Sequence, residues 1–440
     1  MEKHHSKLNK FFHSSLAGGV ILIACTAIAL TLSHIPATAQ WFHSIWETRI
    51  VVGVGDWAID HTFKEWINDA LMAVFFFVVG LEIKREIVAG ELSTLKQATL
   101  PIAAAIGGML IPAGIYMMFN YDNATTFNGW GIPMATDIAF ALGILSVFSK
   151  KVPLSLKIFL TALAVVDDLG AIIVIAIFYS STINLIMISL AATLLLVLFT
   201  LNKSGVLEMK WYIIPSIIIW IAFLHSGIHA TIAGVLIAIM IPVKSKYPQI
   251  HFIEKSKELT DKFIKCNQNG LVILKNEKQH QLLQSLRVLT RNTIPPVMRL
   301  EHALHPAVTF FIMPIFALAN AGVVVSIADL PQLWSEQGLG IQLGLVLGKP
   351  IGIVLSSFLV IKLGIAAMPK GATWKSLIGV GFLGGVGFTM SIFIDMLAFP
   401  AGSPEINYGK MAILLGSLFA AIIGAVILSS GKDIDNKYHW

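Results

Sequence analysis

The sequence predicts an all-α protein that crosses a membrane about twelve times. Three observations carry that prediction. Only 13% of the 440 residues are charged, 56% are hydrophobic, and apolar runs of membrane-crossing length recur along the chain. A soluble globular chain carries roughly 25% charged residues, and at this length it needs far more polar surface. The two cysteines, Cys25 and Cys266, lie far apart and suggest neither a disulfide framework nor a metal-ligand spacing.

With about 20 apolar residues per crossing, spans fall near 15–35, 67–84, 97–119, 130–148, 154–179 and 183–201. A second set falls near 211–224, 226–242, 306–326, 339–364, 375–398 and 409–430. The seventh and eighth are short and divided only by His225-Ser226-Gly227. The basic start and Ala37-Thr38-Ala39 resemble a signal peptide. The apolar run from 16 to 32 is longer than such peptides use, so an uncleaved first helix is expected.

Positively charged loops stay in the cytoplasm. With the N-terminus inside, nearly all of the 31 Lys and Arg residues fall in cytoplasmic segments. Arg49, Lys64 and Lys410 fall outside, and Lys349 falls within a span. Both termini are therefore expected in the cytoplasm. The net charge of +6 is topological and requires no nucleic-acid partner. The chain reads as one membrane domain over 1–440, with two sizeable loops. In the outer loop, 36–65, the alternating Val and Gly of TRIVVGVGDWAI (48–59) predict a short hairpin. The basic loop 243–305, between the eighth and ninth helices, is cytoplasmic. Its stretch 252–289 has helical spacing and predicts a surface helix.

Ionisable residues at membrane depth are expensive and mark ion or substrate paths. The deep set is Asp137, Asp167, Asp168 and Lys349; Asp69, Glu82 and Asp395 lie nearer span ends. Asp167 and Asp168, in LAVVDDLGAII, project about 100° apart on a helix, so both can border one cavity. Such a pair can hold a proton or a small hard cation, and its oxygen ligands suit Na⁺ or Li⁺. A salt bridge serving packing alone is the plainer reading, but one lysine cannot neutralise three aspartates. Lys349, in LGKPIG beside Pro350, can pair with an aspartate in one state and lose its proton in another.

Two spans carry helix breakers near their centres: GWGIPMATDIAFALG (129–143) and GVGFLGGVGFTMSIF (379–393). Non-helical backbone at membrane depth is tolerated where it lines a cavity or is buried in protein. Interrupted spans in the two halves of a chain point to a transporter site. With two broken helices crossing, Asp137 would balance two helix N-termini and Lys349 two C-termini. Close helix packing is the alternative use of the glycines.

ATDIAFALG (135–143), ALAVVDDLGAI (162–172), LGKPIGI (347–353) and GVGFTMSIF (385–393) resemble the NhaA-type sodium/proton antiporters. WINDALMAVFFFVVGLEIKRE (66–86), SGIHATIAGV (226–235) and RLEHALHP (299–306) fit the same family, and the likeness runs from about 10 to 430 outside the loop 243–298. The resemblance implies inverted-topology repeats with two discontinuous crossing helices in a bacterial inner membrane. It implies pH-dependent exchange of Na⁺ or Li⁺ for external protons, with no cofactor. Asp168 would be the main cation and proton carrier; Asp167 would bind the ion or pair with Lys349. Thr136 and Asp137 would sit at the helix crossing. Glu82, Arg85, His229 and Glu301 would form a cytoplasmic-side network for the pH response. Asp69 would lie on the periplasmic pathway, and the hairpin 48–59 would join a homodimer.

Two departures stand out. The loop 243–298 is longer than the family pattern. Asp395, in SIFIDMLAF, occupies a position expected to be small or neutral; it is read as a solvated residue at the outer end of its span or an extra ion contact. Other classes fit less well. An intramembrane aspartyl protease would draw on Gly53-Val54-Gly55-Asp56 and Tyr121-Asp122, but both fall in predicted external loops. A cation channel does not need a site that changes protonation. No GxxxxGK[ST] motif is present, so the proton gradient is the expected energy source.

Overall fold

The computed structural model describes residues 15–53, 58–180, 182–266, 276–323 and 327–431. Helices dominate it. In chain order they are α1 (Ser15–His34), α2 (Pro36–Glu47), α3 (Phe63–Ala89), α4 (Leu95–Asn120), α5 (Ile138–Val147), α6 (Leu154–Phe178), α7 (Leu185–Lys203) and α8 (Lys210–Leu224). There follow α9 (Thr231–Met240), α10 (Gln249–Lys265), α11 (Glu277–Thr293), α12 (Pro296–Asn320), α13 (Glu336–Lys362), α14 (Trp374–Gly384), α15 (Phe388–Ala398) and α16 (Pro404–Ser429). Among the described residues nine helices are long and apolar enough to cross a membrane, with Phe127–Val147, which ends in α5, counted as one, or ten with α14 and α15 as one span bent by 43°. A total of twelve is reached when the shorter apolar helices α8 and α9 each cross.

The boundaries depart from the sequence reading in several places: α2 is a helix within the expected outer loop, α9 is shorter than the expected 226–242, and three further differences concern the hairpin and the starts of α3 and α12. The hairpin pairs Arg49–Val52 (β1) with Ile59–Thr62 (β2), antiparallel and in register Arg49 with Thr62. It therefore runs three residues past the expected end, and Gly53-Val54-Gly55-Asp56 falls mostly outside the described residues. Thr62 caps α3, accepting from Glu65 N while Glu65 Oε2 accepts from Thr62 N, so α3 begins at Phe63 rather than 67. The third difference is the largest. The ninth span starts at Pro296, ten residues early, because proline suits the first helical turn. Arg299, Glu301, His302 and His305 make that stretch polar despite its being helical.

The loop that remains folds into α10 and α11, which pack on each other. Leu259 on α10 and Gln279 and Leu289 on α11 are buried at the contact. Lys255 and Lys262 both donate to the exposed Glu258 and hold its carboxyl down to about 2. Residues 267–275, within the expected surface helix, lie outside the described residues, as do the lysines of both tails.

Close helix crossings fix the core. α4 and α13 meet backbone to backbone: a Cβ on Gly107 would lie 2.4 Å from Gly352 O, and one on Gly352 would lie 2.1 Å from Gly107 O. Small residues at such crossings let dispersion forces act between helices that share an apolar solvent. The crossing also sets the depth of Lys349, one turn before Gly352 and directly after a π-helical turn, Gly344–Gly348. α7 is apolar on nearly every face and buries only Ala191 and Leu198, as a lipid-facing helix does.

Candidate functional site

The site forms where two spans lose their helical hydrogen bonds. Pro133 lies in a 3₁₀ turn, Phe127–Met134, and cannot donate; the chain then runs extended through Ala135, Thr136 and Asp137 before α5 starts. The second break, Gly385–Gly387, separates α14 from α15. Glycine is required there, since a Cβ on Gly385 would sit 2.3 Å from Leu345 O.

The two breaks satisfy each other's backbone groups. Asp137 N donates to Val386 O at 2.7 Å, and Thr136 Oγ1 donates to Gly384 O at 2.8 Å. Ser391 Oγ donates to Ile132 O at 2.8 Å. Asp137 Oδ1 accepts from Phe140 N at the start of α5. Its Oδ2 accepts from Thr389 N at 3.2 Å and from Thr389 Oγ1 at the start of α15. Asp137 therefore meets two helix N-termini, as expected. Lys349 meets one C-terminus, not two: its Nζ donates to Met134 O, while Thr136 takes the carbonyl at the end of α14.

The adjacent aspartates on α6 divide. Asp167 Oδ2 lies 2.7 Å from Lys349 Nζ, and both residues are buried. Asp168 makes no ion pair among the described residues and lines a cavity of about 500 Å³. Asp167 is not among the lining residues, which corrects the expectation that both would border one space. The 100° between neighbours on a helix turns Asp167 toward α13 and Asp168 toward the cavity. Glu82 and Asp137 line the cavity with Asp168, and Asp167 is its neighbour on α6.

The same cavity is lined by Thr136, Asp137, Glu82, Arg85 and Glu301. Arg85 Nε lies 3.1 Å from Glu301 Oε2, joining α3 to α12, and Arg85 Nη2 lies 3.1 Å from Glu86 Oε1. Three of the four residues expected in a pH-response network thus share the space with Asp168. The fourth, His229, stands in the turn before α9, with Nδ1 3.3 Å from Thr231 Oγ1 and its ring against Phe393. Asp69 occupies a π-helical turn of α3, 3.5 Å from His61 of β2, and its carbonyl accepts from Trp220 Nε1.

Several residues here escaped sequence reasoning. Thr389 and Ser391 are uncharged and of types common in membrane helices, so their residue types do not single them out. His302 and His305 line the cavity from α12. Two readings near the outer end are corrected. Asp395 is 0% exposed, not solvated, and Lys410, taken for a loop residue, is 3% exposed within α16. Of the protease lures, Asp122 lies in the turn after α4 and Asp56 outside the described residues.

A family model described as Na+/H+ antiporter 1 matches residues 9–428. The chain is 46% identical over 428 residues to the Na(+)/H(+) antiporter NhaA of Oleidesulfovibrio alaskensis, covering 97% of this chain and 94% of that protein. It is 44% identical over 418 residues to the Na(+)/H(+) antiporter NhaA of Escherichia coli, covering 95% and 96%. The Salmonella typhimurium protein of the same name is 43% identical over 418 residues, with the same coverage.

Proposed function

Since the chain belongs to the NhaA family of Na⁺/H⁺ antiporters, a multi-pass transporter rather than an enzyme, we propose that its exchange runs through Asp168. The observation that carries this reading is the division of the aspartate pair. Asp167 is neutralised by Lys349, whereas Asp168 faces the cavity with no ion-pair partner among the described residues. A carboxylate in that position must take up either a proton or a cation to stay at membrane depth. Na⁺ or Li⁺ and protons compete for it, so binding of one releases the other and the two fluxes are coupled. Asp167 acts beside it as the partner of Lys349, and a proton on Lys349 can be exchanged when that pair opens.

Thr136 and Asp137 hold the breaks together, and Asp137 offsets the positive ends of α5 and α15. Glu82, Arg85 and Glu301 tune the site with pH from the wall they share with Asp168, and His229 adds to that response through α9. Asp69 lies on the route to the opposite side. The two interrupted spans belong to inverted repeats that rock around the site. Both termini face the cytoplasm of a bacterial inner membrane, as the asymmetry of Lys and Arg supports. The hairpin joins two copies into a homodimer embedded in lipid. Transport needs no cofactor, since the proton gradient drives it.

The test uses everted membrane vesicles with an imposed proton gradient, in which added Na⁺ or Li⁺ collapses the acid interior. Absence of any response between roughly pH 6.5 and 8.5, around the histidine and shifted carboxyl range, overturns the reading.

A further inference from the structure

Asp395 lies outside the site described above. It sits on α15, one helical turn beyond Ser391, and is 0% exposed. Neither carboxyl oxygen has a hydrogen-bond partner among the described residues. Buried polar atoms are almost always paired, so a carboxyl group with two orphaned oxygens calls for an explanation. Tyr116 and Tyr179 direct their hydroxyl hydrogens elsewhere, to Thr126 O at 2.6 Å and Asn128 O at 2.7 Å.

The neighbour on the remaining side is α16. Gly409 presses its bare Cα against the carboxyl group: a Cβ there would lie 2.0 Å from Oδ1 and 3.0 Å from Oδ2. The next residue, Lys410, is itself 3% exposed, which places a second buried ionisable residue beside that contact.

We propose that Asp395 and Lys410 form a second intramembrane proton-binding site, loaded from the hairpin side during exchange. The ligand is a proton rather than Na⁺ for two reasons. Gly409 fills the space where a cation's remaining oxygen ligands would stand, and the buried Lys410 repels a metal cation. In the unloaded state the Asp395 carboxylate and the Lys410 ammonium cancel. Uptake of one proton from external water makes the carboxyl group neutral and leaves the cluster with one added positive charge. Release of the same proton restores the pair. The role in exchange rests on the antiport reading; the binding of the proton does not.

The experiment reads both. Infrared difference spectra of the full-length protein in lipid, recorded between acidic and basic pH, should contain a protonated-carboxyl band that Asp395→Asn removes. Asp168→Asn should leave that band in place while abolishing exchange, so failure of the main site and failure of this one are separable. Lys410→Gln, which removes the opposing charge, should carry the band to higher pH; it also serves if Asp395→Asn does not fold. In vesicles, Asp395→Asn should move the dependence on external pH by about one unit, a tenfold change in proton binding, with the Na⁺ dependence unchanged. A band unaltered by Asp395→Asn and by Lys410→Gln, or an unmoved external pH dependence, overturns the proposal.

Discussion

Lys349 Nζ stands 2.7 Å from Asp167 Oδ2, while Asp168, the next residue along, has no Lys or Arg within ion-pair distance among the described residues. Two side chains that look interchangeable in sequence thus hold opposite electrostatic positions. One completes a neutral pair, and the other presents an unpaired carboxyl group to the cavity.

Asp168→Asn keeps the shape and removes the charge. It should abolish Na⁺-dependent proton movement in everted vesicles while the protein still inserts at normal levels. Retained exchange removes Asp168 from the mechanism.

Lys349→Met should do more damage to stability than its size suggests. It strands Asp167 in the interior, and breaking a buried pair from one side costs about 3–5 kcal/mol. Thermal unfolding in detergent should show a large fall in Tm. Adding Asp167→Asn should recover much of it, because no uncompensated charge then remains. A double variant as unstable as Lys349→Met alone would show that the lysine acts through packing instead.

Thr389→Val tests the link between the breaks. It deletes the hydroxyl that donates to Asp137 and leaves the backbone donor of residue 389 in place. A buried acceptor that loses one of its donors costs about 1–3 kcal/mol. The expected result is a lower Tm with weakened exchange; an unchanged Tm means water replaces the hydroxyl.

Gly385→Ala should prevent correct assembly, since the added methyl would lie 2.3 Å from Leu345 O, a backbone atom that cannot rotate away. Low yield of folded protein is the readout. Gly402→Ala is a poor control because its positive φ carries strain of its own. Gly114→Ala meets nothing within 4 Å and should be tolerated.

Arg85→Gln separates tuning from transport. It breaks the Arg85–Glu301 contact at the cavity wall and touches neither Asp168 nor the chain breaks. Exchange should persist with its pH profile displaced. A profile that superposes on the original would take Arg85 out of pH control.

Much of this site was legible in the sequence, for reasons that are physical. Pro133 and the run of glycines before Phe388 cannot sustain a regular helix, so both breaks could be located to within a few residues. Charges in apolar runs stand out, which is how Asp137, Asp167, Asp168 and Lys349 were found together. What sequence could not resolve was direction. Asp167 and Asp168 are neighbours in the same apolar context, and only the packing of α6 against α13 decides which one meets Lys349. Burial near span ends was equally hidden. Asp395 and Lys410 lie where charged residues normally reach water, and nothing local announces that Gly409 brings α15 and α16 close enough to seal them in. The polar start of α12 failed differently, because Glu301, His302 and His305 face a cavity inside the protein and so resemble loop residues.

Asp137 is a single carboxyl group gripped by two half-helices that belong to different crossings of the membrane. In mechanical terms it is a rivet. Neither broken span can slide or tilt at its midpoint without dragging the other, so the pair must travel as one body. Any motion that carries Asp168 from one water-filled side to the other is therefore a displacement of that riveted body against its surroundings, with the joint itself kept shut.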